Sequence, residues 1–302
     1  MMAKRKSKTS RKKGFSFRNL LSIILGIIAI GLLFYPIVVN YLAGQQNIKS
    51  VQKYDENLSN IGSAKVKELL SQAQLYNAQL YNEYIYDASQ HIAWNKPIPN
   101  YNNVLKIDTT GMMGFITIPQ IKVNDIPIYH GDSEKILGLG VGHVPQSSLP
   151  IGGINSHAVL PAHSGRVNDT LFTNLDKLKN GDIFYLHVLN LTLKYKINDI
   201  RIVAPNQVSS LSIEKGRDLV TLVTCYPTGI NNKRLLVTSE RTALSKVTPQ
   251  EDIQRNQFGY NFWVMFGSAF LMFLGLVYLL WLLFGRKRNL YHVAARKIEK
   301  PV

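Results

Sequence analysis

Cys225 is the only cysteine in the 302-residue chain, and its neighbours decide what it can do. Leu219–Val223 before it is a short apolar, β-branched run, the pattern of a strand buried on one or both faces. Pro227, Thr228, Gly229, Asn231 and Asn232 after it are turn formers, and Leu235–Thr238 resumes the strand pattern. The spacing predicts a β-hairpin with a wide loop. Cys225 then closes the first strand and Arg234 opens the second, nearly opposite each other, with Cβ atoms roughly 5 Å apart. A thiol beside a guanidinium is an electropositive place for a nucleophile. The plain alternative is a buried structural thiol, since free cysteine is among the most buried residue types. Two features weigh against it. The residue sits at a strand end before a Pro/Gly loop, where functional residues concentrate, and Arg234 would be a costly neighbour for an inert core thiol.

A thiol nucleophile needs a base or ion-pair partner and a group that stabilises an oxyanion. Arg234 could serve as the second, because its planar fork of donors suits a developing negative charge better than lysine does. The chain has seven histidines for the first. His292 lies in a basic tail, and His91 in an irregular stretch before the strands. His130, His143, His157, His163 and His187 remain. His157 and His187 read as members of strands, where a satisfied core or surface histidine is the better guess. His163 stands at the end of the run His157–Leu160 and before Ser164-Gly165, again a strand end facing a loop. The residues alone leave the choice open. Thr224, beside the thiol, is a candidate to orient a substrate. No metal-ligand spacing, phosphate-binding glycine loop or internal repeat is present, so neither a metal nor another cofactor is expected.

The elements that must hold these groups follow from charge and hydropathy. The net charge of +16 resembles a nucleic-acid signal until it is located: residues 1–18 carry +8 and residues 286–302 carry +5, leaving +3 for the long middle. The basic tails flank apolar runs, so the pattern fits the cytoplasmic margins of a membrane protein and no nucleic-acid partner is expected. Leu20–Val39 is uncharged and long enough to cross a bilayer, as is Phe262–Phe284. The expected organisation is a basic tail (1–18), a transmembrane helix (19–41), a helical and lid region (42–109), a β domain (110–242), a linker (243–259), a second transmembrane helix (260–285) and a basic tail (286–302). Both termini would be cytoplasmic and residues 42–260 outside the cell. Residues 47–90 read as helix, with Val66, Leu69, Ala73, Tyr76, Leu80 and Tyr84 as an apolar stripe. From Gly111 the chain turns to seven short strands: Gly114–Ile118, Ile126–Tyr129, His157–Leu160, Ile183–Leu189, Leu191–Ile202, Leu219–Thr224 and Arg234–Ser239. Ser133–Gly138 and Leu171–Leu178 read as short helices. Many short strands in one span indicate a barrel or sandwich.

Thr-Leu-Val-Thr-Cys225-Tyr-Pro with an arginine nine residues on resembles the sortases, membrane-anchored cysteine transpeptidases of Gram-positive bacteria. Gly114-Phe-Ile-Thr-Ile-Pro, Ile128-Tyr-His-Gly, Gly140-Val-Gly-His-Val and Leu171-Phe-Thr-Asn-Leu-Asp-Lys-Leu-Lys-Asn-Gly-Asp resemble the pilus-assembly, class C branch in the right order, over about residues 104–241. The resemblance implies a mostly β fold with a closed sortase-like barrel, short helices, an N-terminal helical and lid region and two flanking transmembrane helices. It aligns Val-Leu-Pro-Ala-His163 with the family's catalytic histidine, and so implies a site of His163, Cys225 and Arg234. The implied reaction cleaves a Leu-Pro-x-Thr-Gly-like sorting signal between Thr and Gly. It passes the thioacyl intermediate to a lysine amine of another pilin subunit. Pilins bearing that signal and membrane lipid are the implied partners. The class C lid usually carries an Asp-Pro-aromatic anchor. Here Asp87 has no following proline and Trp94 no preceding Asp-Pro, so a loosely held lid over residues 85–105 is the expectation, with Trp94 as a lid residue that either packs on the barrel surface or plugs the site. Two alternatives stand beside this: a housekeeping sortase that anchors proteins to the cell wall, and a membrane-tethered binding barrel without turnover.

Overall fold

Alternating apolar residues build the sheet. Along β5 (Leu191–Val203), Leu193, Tyr195 and Ile197 turn inward while their neighbours face out. Along β6 (Asp218–Tyr226), Val220 and Leu222 do the same, and along β7 (Lys233–Thr242), Leu235 and Val237. With β1 (Met112–Ile118), β2 (Val123–Tyr129), β3 (Ser156–Pro161) and β4 (Ile183–Val188) they make one sheet in the order β2-β1-β4-β5-β7-β6-β3. Every pairing is antiparallel except β3 with β6, which is parallel. The computed structural model describes residues 17–86, 100–166, 171–207 and 209–244, with a few helical positions between 267 and 277. The chain divides into two units, Met1–Val38 with Trp263–Val302, and Val39–Phe262. The sheet lies in the second.

The sheet curls around one apolar core, which includes Ile116, Ile128, Leu160, Phe172, Phe184, Leu222 and Val237. It is not the closed barrel expected from the resemblance. Its end strands, β2 and β3, do not pair with each other; an irregular strip, residues 141–148, lies between them. On one side Tyr129 N–H donates to Val141 O and Val141 N–H to Pro127 O, both at 2.9 Å. On the other, Gly142 N–H donates to Pro161 O at 2.8 Å and Val144 N–H to Val159 O at 3.0 Å. The backbones approach so closely that a Cβ on Gly140 or Gly142 would meet a carbonyl oxygen at 2.6 Å. Pro145 then ends the strip as a strand, because it has no N–H for a ladder.

β1 is buried at all seven positions because both its faces are covered. Ile116 and Ile118 face the curl, while Met112, Met113 and Phe115 face the helical region. There Tyr54 of α1 (Phe17–Asn60) donates to Met113 O at 2.7 Å and accepts from Leu189 N–H at 2.9 Å. Val66, Leu69, Ala73 and Tyr76 of α2 (Gly62–Tyr86) pack on Tyr101, Leu105, Leu149 and Leu189. The predicted single helix over 47–90 is thus two helices. Gly62 has φ +72°, a left-handed conformation that ends the first of them. Of the helix expected at Leu171–Leu178 only a 3₁₀ turn, Leu175–Lys177, forms; Leu171, Phe172, Leu175 and Leu178 instead fill the core. Ser133 caps the short α3 (Glu134–Leu137), accepting from Ile136 N–H.

Among the described residues no single helix is long and apolar enough to cross a membrane. A bent pair, Ile24–Leu32 with Phe34–Asn60, has the length and composition to do so. The expected linker lies almost wholly, and the second span mostly, outside the described residues; Trp94 and the rest of the lid core, residues 87–99, lie outside them too.

Candidate active site

The central strands fix the site by register. In the β6–β7 hairpin Cys225 stands directly opposite Arg234, as the alternation predicts, and Val203 of β5 pairs with Arg234 on its other side. On the far flank of β6 the parallel pairing with β3 runs from Ser156↔Asp218 to Pro161↔Val223. Ala162 N–H continues it by donating to Val223 O at 3.0 Å. Two residues beyond the last pair, the same register sets His163 beside Cys225. Side chains alternate across a strand. Ala158, Leu160 and Ala162 face the core, as do Val220 and Leu222, and Leu235 and Val237. His163, Cys225 and Arg234 therefore share the outer face, in one row at one end of the sheet.

Local bonds hold this end in place. Ser164, 9% exposed, donates from Oγ to Cys225 O at 2.7 Å. His163 O accepts from Phe172 N–H at 3.2 Å, and Gly165 N–H donates to Thr173 Oγ1 at 3.0 Å. Gly165 is at φ +72°, and a Cβ there would lie 2.6 Å from Thr228 Cγ2. The loop after the histidine thus packs against the loop after the cysteine, and only glycine lets it approach so closely. Arg234 Nη1 donates to Asn231 O at 3.2 Å and Lys233 O at 3.0 Å, which orients the guanidinium on its own hairpin. Its five donors exceed what those two carbonyls take up.

His163 is half-buried, its side chain 18% exposed, and Nε2 lies 3.3 Å from Glu134 Oε2, a carboxylate 86% exposed. That is ion-pair distance without hydrogen-bond alignment, and Nε2 itself is hidden from solvent. Glu134 was not legible as a site residue, because it comes from α3, about thirty residues earlier in the chain. Ser164 carries no sequence signal beyond a small polar residue after the histidine.

The other histidines of the described chain are committed elsewhere. His143 is fully buried: Tyr101 Oη lies 2.9 Å from Nδ1 and Ser148 O 2.8 Å from Nε2, and burial pushes its pKa down to about 4. His130 sits between Gly111 O at 3.0 Å and Val104 O at 2.7 Å, and burial lowers its pKa. His187 stacks on Phe115 with centroids 4.6 Å apart. His157 shares strand and face with His163 but lies about 20 Å away along the strand. It is bonded to Ser212 O and Thr221 Oγ1, each at 2.7 Å.

Thr224 does not share the outer face. It is 4% exposed, and its Oγ1 donates to Ala162 O at 2.8 Å. The expectation that it orients a substrate is corrected by parity, since a residue next to Cys225 in a strand must point to the opposite side. Among the described residues no group of histidine, cysteine and carboxylate side chains could hold a metal ion.

The arrangement is a thiol between an imidazole and a guanidinium at a sheet end, which suits acyl transfer: nucleophile, proton carrier and oxyanion donor in one row. Comparisons with known proteins place the fold in a family. The sortase domain family matches residues 116–242. The structure is similar to Clostridium perfringens sortase C solved with the C-terminal cell wall sorting motif, at 41% identity and TM-score 0.57, over 65% of this chain and 100% of that one. It is similar also to sortase C1 of Streptococcus agalactiae, at 38% identity and TM-score 0.60, over 65% and 100%. Sortase D of Bacillus subtilis is 30% identical over 139 residues, 45% of this chain and 67% of that protein.

Proposed function

The chain belongs to the sortase family, with class C sortases as structural neighbours, and from that premise we propose that it is a pilus-assembly cysteine transpeptidase. The observation that carries the reading is the single row His163–Cys225–Arg234. The Cys225 thiolate attacks the carbonyl carbon of the Thr-Gly bond in a Leu-Pro-x-Thr-Gly-like signal. The oxyanion that develops takes hydrogen bonds from Arg234. As the tetrahedral intermediate collapses, the C–N bond breaks and the leaving glycine amine takes a proton from the His163 imidazolium. A thioester to Cys225 remains. The lysine amine of the next pilin attacks that thioester, His163 takes the proton back, and the thiolate leaves as the isopeptide bond forms. The likeness to a class C enzyme solved with a sorting motif supports this substrate class.

The enzyme acts outside the cell, held in the membrane by residues 19–41 and 260–285 with both termini cytoplasmic. Basic tails outside both apolar runs support that topology, as do Leu25, Ile27, Ile28 and Leu32, large apolar side chains left exposed on α1. Protease added to protoplasts is expected to degrade residues 42–260; protection of that region overturns the topology.

Cys225→Ala tests the chemistry. The variant is expected to keep the circular dichroism and melting temperature of the native chain and to lose linkage of pilin subunits. Linkage that survives the substitution contradicts the mechanism.

A further inference from the structure

The row of reacting groups lies beyond the last residues that β3 and β6 pair in regular register, Pro161 and Val223. Past that point the β3 chain turns away: His163 O bonds to Phe172 N–H, outside the sheet, and Gly165 takes a left-handed φ of +72°. The backbone ladder thus gives way where the imidazole has to be held against the thiol. Two side-chain hydroxyls span the same gap, one in each direction. Thr224, the residue before the nucleophile, donates to Ala162 O, the carbonyl before the base, at 2.8 Å. Ser164, the residue after the base, donates to the nucleophile's own carbonyl, Cys225 O, at 2.7 Å. Both side chains are almost completely buried.

From this geometry we infer that Ser164 and Thr224 are positioning residues. They form a reciprocal hydroxyl clasp that continues the β3–β6 register by side chains and keeps His163 beside Cys225. The inference rests on the transpeptidase reading above. Neither hydroxyl reaches a reacting atom. Each fixes a peptide unit adjoining a catalytic residue, so loss of either lets the imidazole and thiol drift apart without opening the core. Displacements of about 1 Å in such a pair cost on the order of 100-fold in rate.

The test uses the full chain in detergent or membranes and an internally quenched peptide carrying Leu-Pro-Glu-Thr-Gly. Thr224→Val and Ser164→Ala are each expected to lower kcat by about tenfold or more, with KM within about twofold of native. The hydroxyl-preserving variant Thr224→Ser is expected to retain kcat within about threefold. A role confined to stability predicts a lowered Tm with kcat per folded molecule intact, and that outcome overturns the clasp. Equal losses in Thr224→Val and Thr224→Ser overturn it too, because they assign the effect to packing. If Thr224→Val does not fold, Ser164→Ala at the strand margin decides alone. Cys225→Ala run in parallel separates the two claims. Activity surviving in Cys225→Ala sinks the transpeptidase reading; activity lost there but native in Thr224→Val and Ser164→Ala sinks only the clasp.

Discussion

The outer face of β3, β6 and β7 carries two rows of the same kind at its two ends. At one end His157 lies by Thr221, and Thr221 by Thr238, with 2.7 Å and 2.9 Å between polar atoms. At the other, His163 stands by Cys225, and Cys225 by Arg234. The first row is closed. His157 and Thr221 are buried, Ser212 O takes up the remaining ring nitrogen, and desolvation, the largest influence, pushes the imidazole pKa down. The second row is open: His163, Cys225 and Arg234 are only partly buried, and His163 Nε2 has a carboxylate at ion-pair distance but no aligned hydrogen bond. One strand trio therefore supplies a histidine sealed by its neighbours and another left open beside the thiol. What separates them is whether the loop between β5 and β6 covers the row and saturates its polar atoms.

Exchanging the two roles by mutation is the strongest way to break this comparison. His163→Ala is expected to lower turnover by about 10³-fold with little change in melting temperature, as for loss of a general acid–base. His157→Ala should do the reverse. Removing it strips Ser212 O of its ring partner and leaves Thr221 with Thr238 alone, at a cost of about 2–4 kcal/mol in stability, while the folded fraction turns over within a few-fold of native. A His157→Ala variant that is stable but inactive would dissolve the distinction. Within the open row, Arg234→Lys is expected to lose about 100-fold in kcat, because a point charge does not replace the fork of donors. Activity within a few-fold of native would remove Arg234 from the oxyanion role.

The smaller effect concerns a second sealed histidine, outside both rows, and reads out through pH. His143 has its pKa lowered from 6.5 to about 4, with burial the first cause. The unfolded chain binds this proton below about pH 6.5, whereas the folded chain resists it down to about pH 4. The contribution is therefore whole above pH 6.5 and lost progressively as pH falls through that window, by roughly 3 kcal/mol in all. Urea melts of the native chain between pH 7 and pH 4, set beside His143→Gln, read this out. A His143→Gln variant with an unchanged slope would show that the acid sensitivity comes from elsewhere.

Local pattern made much of this legible. The apolar run before Cys225, the turn formers after it and the strand from Arg234 were enough to place thiol and guanidinium opposite each other, because a hairpin is a local structure with a fixed period. His163 was not separable from four other histidines by the same reasoning. Its place depends on β3 lying parallel to β6, a pairing across some sixty residues that no short-range signal encodes. Parity alone places Thr224 away from the outer face, since adjacent strand residues face opposite ways. Glu134 and the hydroxyl of Ser164 became visible only when α3 and the β3 terminus were in place. The closed barrel failed for a different reason: the strip over residues 141–148 joins the end strands by isolated bonds, and Gly142 and Pro145 leave it too irregular to pair as a strand.

One adduct tests the role of Cys225 most directly. The full chain is mixed with a peptide carrying the Leu-Pro-Glu-Thr-Gly signal, in the absence of an amine acceptor, quenched in acid and digested for mass spectrometry. The predicted result is the acyl fragment ending in threonine, attached to Cys225 as a hydroxylamine-labile thioester, and missing in Cys225→Ala. Cleavage of the peptide at an undiminished rate in Cys225→Ala, or an acyl group attached to any other residue, would contradict it.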